Sequence, residues 1–174
     1  MLPVMLGLAA LGLMGQAADQ ALRPTPALTE GPFYKPGSPE RRDLAAAGTP
    51  GTHISISGRV YDLKGTPVPG AWLDFWQADA AGRYDNAGFR FRGHQRTDSE
   101  GRWILNTVIP GEYPGRTRHI HVKLRASGGK ILTTQIFFPG STGNASDPIF
   151  DKSLVIAMDA GGTGGRIDFV IPGP

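Results

Sequence analysis

Two of the four histidines in this 174-residue chain, His119 and His121, stand either side of one isoleucine in GRTRHIHVKLR, residues 115–125. Successive side chains of an extended strand point to opposite faces, so residues two apart share a face. The run therefore predicts a strand with Ile120, Val122 and Leu124 on an apolar face and His119, His121, Lys123 and Arg125 on a polar one. Two imidazoles about 6.5 to 7 Å apart along a strand can converge on one metal ion, and histidine is the commonest metal ligand. A solvated sheet face carrying two histidines satisfies the same alternation, so the pair needs further ligands before it counts as a site.

The chain has no cysteine, which removes thiolate nucleophiles, cysteine-bound zinc and iron–sulfur clusters. Any metal must be held by histidine, carboxylate or tyrosinate. Of the four tyrosines, Tyr61 lies in an alternating run and packs there, and Tyr34 lies in a proline-rich stretch. Tyr113 sits in the turn PGEYP that feeds the histidine run, and Tyr84 sits in the glycine-containing turn AGRYD beyond the run from Trp72 to Trp76. A single loop tyrosine is ordinary surface, but loops at strand ends are where sites are built. Asp85 with the two histidines would make a ferrous facial triad, and zinc at the histidines would serve hydrolysis. Neither arrangement uses the two loop tyrosines.

The elements that must position these residues are legible in the pattern of short runs. Charge is mild, 18 Lys and Arg against 15 Asp and Glu, with no basic run that would suit nucleic acid or a membrane surface. The length suits one domain with a real core. The segment MLPVMLGLAALGLMGQA, residues 1–17, is apolar and ends in a small-x-small pattern, which predicts a signal peptide. It is short for a membrane span, and no Lys or Arg precedes the apolar run. Export to the periplasm or the cell exterior is the expectation, with the cytoplasm as the location if the segment is a buried N-terminal helix instead. Residues 18–52 are rich in proline and turn residues and predict an extended arm, with one helical turn at 41–47, RRDLAAA. From residue 53 to 174, alternating runs such as HISISGRVYD, GAWLDFWQAD, WILNTVIP, HIHVKLRA and ILTTQIFF are separated by turn signals. They predict an all-β fold, an antiparallel β-sandwich of about eight strands.

The stretches GTPVPGAWLDFWQADAAGRYD, RTDSEGRW, VIPGEYPGRTRHIHVKL and LTTQIFF, in this order and preceded by LTEGPFY, resemble the intradiol ring-cleavage dioxygenases, the group of protocatechuate 3,4-dioxygenase and catechol 1,2-dioxygenase. The resemblance covers about residues 28–174. It implies a β-sandwich catalytic domain with a non-haem ferric iron, Fe(III), held by Tyr84, Tyr113, His119 and His121. It also places Arg116 on the family's active-site arginine and Gln135 on a substrate-side glutamine. Trp76 is a candidate for the substrate-pocket wall or for the core. Ferric iron is a hard cation that prefers anionic oxygen, and a bound cation can deprotonate a phenol whose free pKa is about 10. Ferric iron with two phenolates and one hydroxide is formally neutral, and it stays neutral if a catechol dianion replaces Tyr113 and the hydroxide. The implied partners are a catechol-type diol and O2, giving a muconate-type diacid, with no nucleic acid, no membrane in the mature form, and homo-oligomer formation open. Five residues, 114–118, separate Tyr113 from His119, and Gly115 stands where the protocatechuate enzymes carry a bulky aromatic, so the identity of the catechol is open. A transthyretin-like binding module is the competing reading, because Gly58 to Ala71 also follows the pattern of non-catalytic sandwiches. The four candidate ligands distinguish the two.

Overall fold

The computed structural model describes residues 22–173, so the segment read as a leader lies outside the described residues. Nine strands are assigned among these residues: β1 (His53–Tyr61), β2 (Trp72–Gln77), β3 (Arg92–Arg96), β4 (Arg102–Val108), β5 (His119–Arg125), β6 (Leu132–Phe137), β7 (Ala157–Met158), β8 (Gly164–Arg166) and β9 (Phe169–Val170). They form two sheets, one of order β4-β1-β8-β7 with β9 also on β1, the other of order β3-β2-β5-β6. Alternation explains the core between them. Ile54, Ile56 and Val60 of β1 and Trp103 and Leu105 of β4 are buried together with Leu73 and Phe75 of β2 and Ile120, Val122 and Leu124 of β5. Each large apolar side chain so buried contributes about 1.5–3 kcal/mol. The second sheet is antiparallel throughout. The first is mixed, because β8 and β9 run parallel to β1, a departure from the all-antiparallel expectation.

The other face of the four-stranded sheet is polar in sequence, yet His119 and His121 are 2% and 1% exposed. The arm covers them. It crosses the four strands in order: Leu28 N–H donates to the Thr133 carbonyl on β6 at 2.9 Å, and Glu30 pairs with Lys123 on β5. Further along, Tyr34 and Ser38 donate to the Asp74 carboxylate on β2 at 3.1 and 2.7 Å, and Arg41 N–H donates to the His94 carbonyl on β3 at 2.9 Å. No helical turn forms at 41–47. That backbone pairs with the edge strand β4 instead, the Arg42 carbonyl accepting from Asn106 N–H at 2.9 Å and Leu44 N–H donating to the Asn106 carbonyl at 2.8 Å. Strand β3, RGHQR, carries no apolar alternation and is absent from the expected runs; pairing with β2 on one side and with the arm at His94 on the other defines it.

Asp74 is the buried acceptor on which the arm closes. Burial pushes its carboxyl up, against the hydrogen bonds from Ser38 and Tyr34, and burial together with the Asp74 charge pushes the Tyr34 phenol up to about 12. Asp74→Ala strands two hydroxyls and should destabilise the protein by about 1–3 kcal/mol in urea denaturation, with earlier proteolysis between residues 30 and 41. An unchanged midpoint and cleavage pattern would show that the arm is held without it.

Candidate metal centre

Two loops carry the tyrosines, and they are locked backbone to backbone. The Asp79 carboxylate accepts from Ala81 and Arg83 N–H, both at 2.9 Å, closing the turn that presents Tyr84. Gly111 N–H donates to the Asp79 carbonyl at 2.9 Å. A Cβ on Gly111 would lie 2.5 Å from the Gly82 nitrogen, and one on Gly82, where φ is +78°, would lie 2.3 Å from the Glu112 carbonyl oxygen. Only glycine permits this approach. It brings the rings of Tyr84 and Tyr113 to 5.9 Å, and Phe33 from the arm stacks on Tyr84 at 4.4 Å.

Strand β5 supplies the imidazoles. His119 Nδ1 lies 2.6 Å from the Thr117 carbonyl, which can only accept, so Nδ1 carries the proton and Nε2 presents its lone pair to the site. That Nε2 is 3.1 Å from His121 Nε2 and 3.4 Å from the Tyr113 hydroxyl. Burial, with the Arg116 charge added, lowers the His119 pKa to about 4. Burial and then His119 itself push His121 well below the ordinary histidine value. Both rings are therefore neutral at pH 7. Burial, with Tyr113 beside it, pushes the Tyr84 phenol far above the ordinary range, and its hydroxyl has no hydrogen-bond partner although fully enclosed.

These donors fit a hard cation. Two nitrogens bonded at about 2.1 Å to one ion and a right angle apart lie about 3 Å from each other, close to the 3.1 Å between the two Nε2 atoms. The orphaned Tyr84 oxygen is the kind of buried polar group that needs an explanation, and a bound cation would make it an anionic ligand. No cluster of three or more His, Cys, Asp or Glu exists among the described residues, so a metal here needs the tyrosines. Asp85 does not serve as a third ligand in a facial triad, because its carboxylate accepts from the N–H groups of Ala87, Gly88 and Arg90.

Around this cluster, Arg116 Nη2 donates to Gln135 Oε1 at 2.5 Å and its Nε to Asp147 Oδ2 at 3.0 Å. Gln135 Nε2 in turn donates to the Thr29 carbonyl of the arm at 3.0 Å. Arg118 is exposed, beside Glu112 in a separate cleft. Trp76 is 1% exposed, its indole stacked on His121 at 4.6 Å with Tyr34 behind it at 4.8 Å. It forms the wall behind a histidine rather than an open pocket surface. Asp147, Phe33 and Arg92 belong to the site but stand out in no spacing pattern, since each arrives from a distant segment. Only Phe33 lies within a quoted motif, LTEGPFY.

The sandwich thus gathers two half-buried tyrosines and two buried histidines around one point. The family model described as Dioxygenase matches residues 29–160. The protocatechuate 3,4-dioxygenase beta chain of Burkholderia cepacia is 38% identical over 127 residues, 63% of this chain and 54% of that protein. The protocatechuate 3,4-dioxygenase alpha chain of Pseudomonas putida is 33% identical over 157 residues, 76% of this chain and 78% of that one. Among solved structures, the dioxygenase domain of a dioxygenase carbohydrate-binding protein fusion from Streptomyces sp. SirexAA-E superposes with a TM-score of 0.85 at 47% identity, over 87% of this chain and 100% of that one. The 3-chlorocatechol 1,2-dioxygenase of Rhodococcus opacus 1CP gives 0.77 at 28% identity, over 84% of this chain and 71% of that one. The chain belongs to the intradiol ring-cleavage dioxygenase family. It spans about half the length of several curated relatives, 54%, 52% and 58% of three of them.

The Arg116–Asp147 pair yields a pH prediction. Burial opposes ionisation of Asp147, but the N–H groups of Ile149 and Thr117 and the Arg116 guanidinium outweigh it and hold the carboxyl below its ordinary range. A carboxyl whose folded pKa lies below its unfolded value of about 3.9 adds stability that is fully present above that value and is lost as pH falls through the folded pKa. Asp147→Asn should cost about 1.5–3 kcal/mol at neutral pH, with the deficit shrinking below about pH 4, as read from urea midpoints across that range. A deficit that stays constant down to acid pH would show that the carboxylate charge is not what holds Arg116.

Proposed function

We propose that the chain is a non-haem Fe(III)-dependent dioxygenase that cleaves a catechol-type diol between its two hydroxylated carbons, placing both atoms of O2 in a muconate-type diacid. The observation that carries this reading is the convergence of Tyr84, Tyr113, His119 and His121 in one buried cluster, where both imidazoles are neutral and the Tyr84 oxygen is unpartnered. A binding module of the transthyretin-like kind has no use for that set. The curated relatives named for protocatechuate, catechol and hydroxyquinol support a diol substrate. Residues Tyr84, Tyr113, His119 and His121 would hold the iron. Bound there, ferric iron supplies a chelating point for both diol oxygens and activates the ring toward O2.

The protein's own residues divide the remaining work. Tyr84 is gripped by Phe33 and suits the ligand that stays. Tyr113 sits on the short loop next to Gly115, an open position at φ +81°. The Tyr113 oxygen is placed to take up one of the two diol protons if a diol displaces it, so that no charge would be stranded in the buried site. Arg116 stands beside the cluster, its guanidinium oriented by Asp147 and Gln135, and it stabilises negative charge that builds on the substrate as O2 adds. Trp76 keeps His121 aligned by stacking.

Two experiments test the proposal. Purified protein should carry about one iron per chain and be coloured by tyrosinate charge transfer, and His119→Ala and His121→Ala should stay folded by circular dichroism while losing metal and colour. A colourless protein saturated with zinc would defeat the iron reading. In steady-state turnover of a simple catechol, Arg116→Ala should keep its iron and lose at least about 10²-fold in rate, the scale of a lost electrostatic stabiliser. Arg118→Ala, at an exposed position, should change little, and the reverse order would remove Arg116 from the reaction.

A further inference from the structure

Arg92 on β3 is 1% exposed, and it belongs to no ion pair among the described residues. Its guanidinium donates only to backbone, Nη1 to the Phe33 carbonyl at 2.6 Å and Nε and Nη2 to the Asp85 carbonyl at 3.2 and 3.0 Å. The two nearby acids are committed elsewhere: Asp85 to the N–H groups of its own loop, and Asp74 to Tyr34 and Ser38. No carboxylate touches this buried cation, and a buried charge without a contacting partner is costly, so an anion beside it would lower that cost. The aromatic group it faces is Tyr84, whose ring centre is 6.0 Å from the guanidinium carbon and whose hydroxyl is the unpartnered buried oxygen of the site.

Both carbonyls that Arg92 holds also bear on Tyr84. Asp85 is its neighbour in the chain, and Phe33 is the ring stacked on it at 4.4 Å. The register adds a third link, since Arg92 stands opposite Trp76, which stands opposite His121. We propose that Arg92 is a positioning residue for Tyr84: it ties the tyrosine's loop to the arm, and its buried charge is balanced by the Tyr84 oxygen in the anionic, metal-bound form. This rests on the iron reading above and extends it to a residue outside the ligand set. The charge of Arg92 thereby holds the phenolate electrons more tightly and sets the colour of the loaded protein.

The test uses Arg92→Gln, which removes the charge, and Arg92→Lys, which keeps the charge and loses the fork of donors. In iron-loaded protein, Arg92→Gln should move the tyrosinate band to longer wavelength and release iron to a chelator about 10–100-fold faster, the usual scale for a group supporting a metal ligand. Arg92→Lys should restore the wild-type band while releasing iron faster than wild type. In metal-free protein, both variants should speed amide hydrogen exchange at residues 33–35 and 84–86. A wild-type band position in folded Arg92→Gln, or equal band shifts in both variants, would overturn the charge role. If Arg92→Gln does not fold, a shifted band in Arg92→Lys overturns that role by itself. If the wild-type protein takes up no iron, the functional reading fails on its own ground. The exchange measurement then still decides the tie between Arg92, the arm and the Tyr84 loop, and unchanged exchange overturns it.

Discussion

One row of residues runs straight across the four-stranded sheet: Arg92 on β3 opposite Trp76 on β2, opposite His121 on β5, opposite Gln135 on β6. All four are buried at 1% exposure or less, and all four carry polar groups that burial would penalise if left alone. The rest of the site follows from satisfying that row. The arm supplies the Phe33 carbonyl to Arg92 and the Thr29 carbonyl to Gln135, and the loop before β5 supplies Arg116 to Gln135. A ligand row on an open sheet face would be wet and loosely held. Roofed by the arm, it is dry and fixed by strand register, which places side chains more firmly than a loop can.

Burial sets the charge states inside this enclosure. Burial keeps both imidazoles neutral, so they offer lone pairs rather than protons, and two guanidiniums, Arg92 and Arg116, flank the cluster without entering it. Each has its own anchor: Arg116 has Asp147, and Arg92 has backbone carbonyls alone. The same surroundings hold the phenol of Tyr84 protonated when no cation is bound. Without a cation, this enclosure therefore bears no unpaired phenolate at Tyr84.

The sandwich was legible in the sequence because the core side of each strand alternates in the ordinary way, as Ile54, Ile56 and Val60 do in β1 and Ile120, Val122 and Leu124 in β5. The histidine pair and the two loop tyrosines stood out as candidates from local spacing and turn chemistry, and the family resemblance joined them into one set. Burial of the polar face was not, because it depends on an arm that has no periodicity and crosses the sheet through contacts 36 to 106 residues apart in the chain. The helical turn foreseen at 41–47 lost to backbone pairing with β4, a tertiary bond that outweighs the helix propensity of three alanines. Strand β3 reads as polar because its side chains serve the site and the arm rather than the core.

The turn between Tyr113 and Arg116 couples the loop tyrosine to the arginine beside the cluster. Tyr113 and Arg116 exchange backbone hydrogen bonds, Arg116 N–H donating to the Tyr113 carbonyl at 2.9 Å and Tyr113 N–H to the Arg116 carbonyl at 3.4 Å. A swing of Tyr113 away from the cluster therefore pulls on the backbone of the arginine. Asp147 resists that pull at two points, binding both the Arg116 guanidinium and the Thr117 N–H. Thr117 also presents the carbonyl that fixes the His119 tautomer. The unclamped stretch is residues 113–115, where Gly115 has open space around it. Arg116 and His119 lie on the other side of the clamp. Five residues between Tyr113 and His119 suffice for this arrangement, because one carboxylate from a distant segment pins the half of the loop next to the strand.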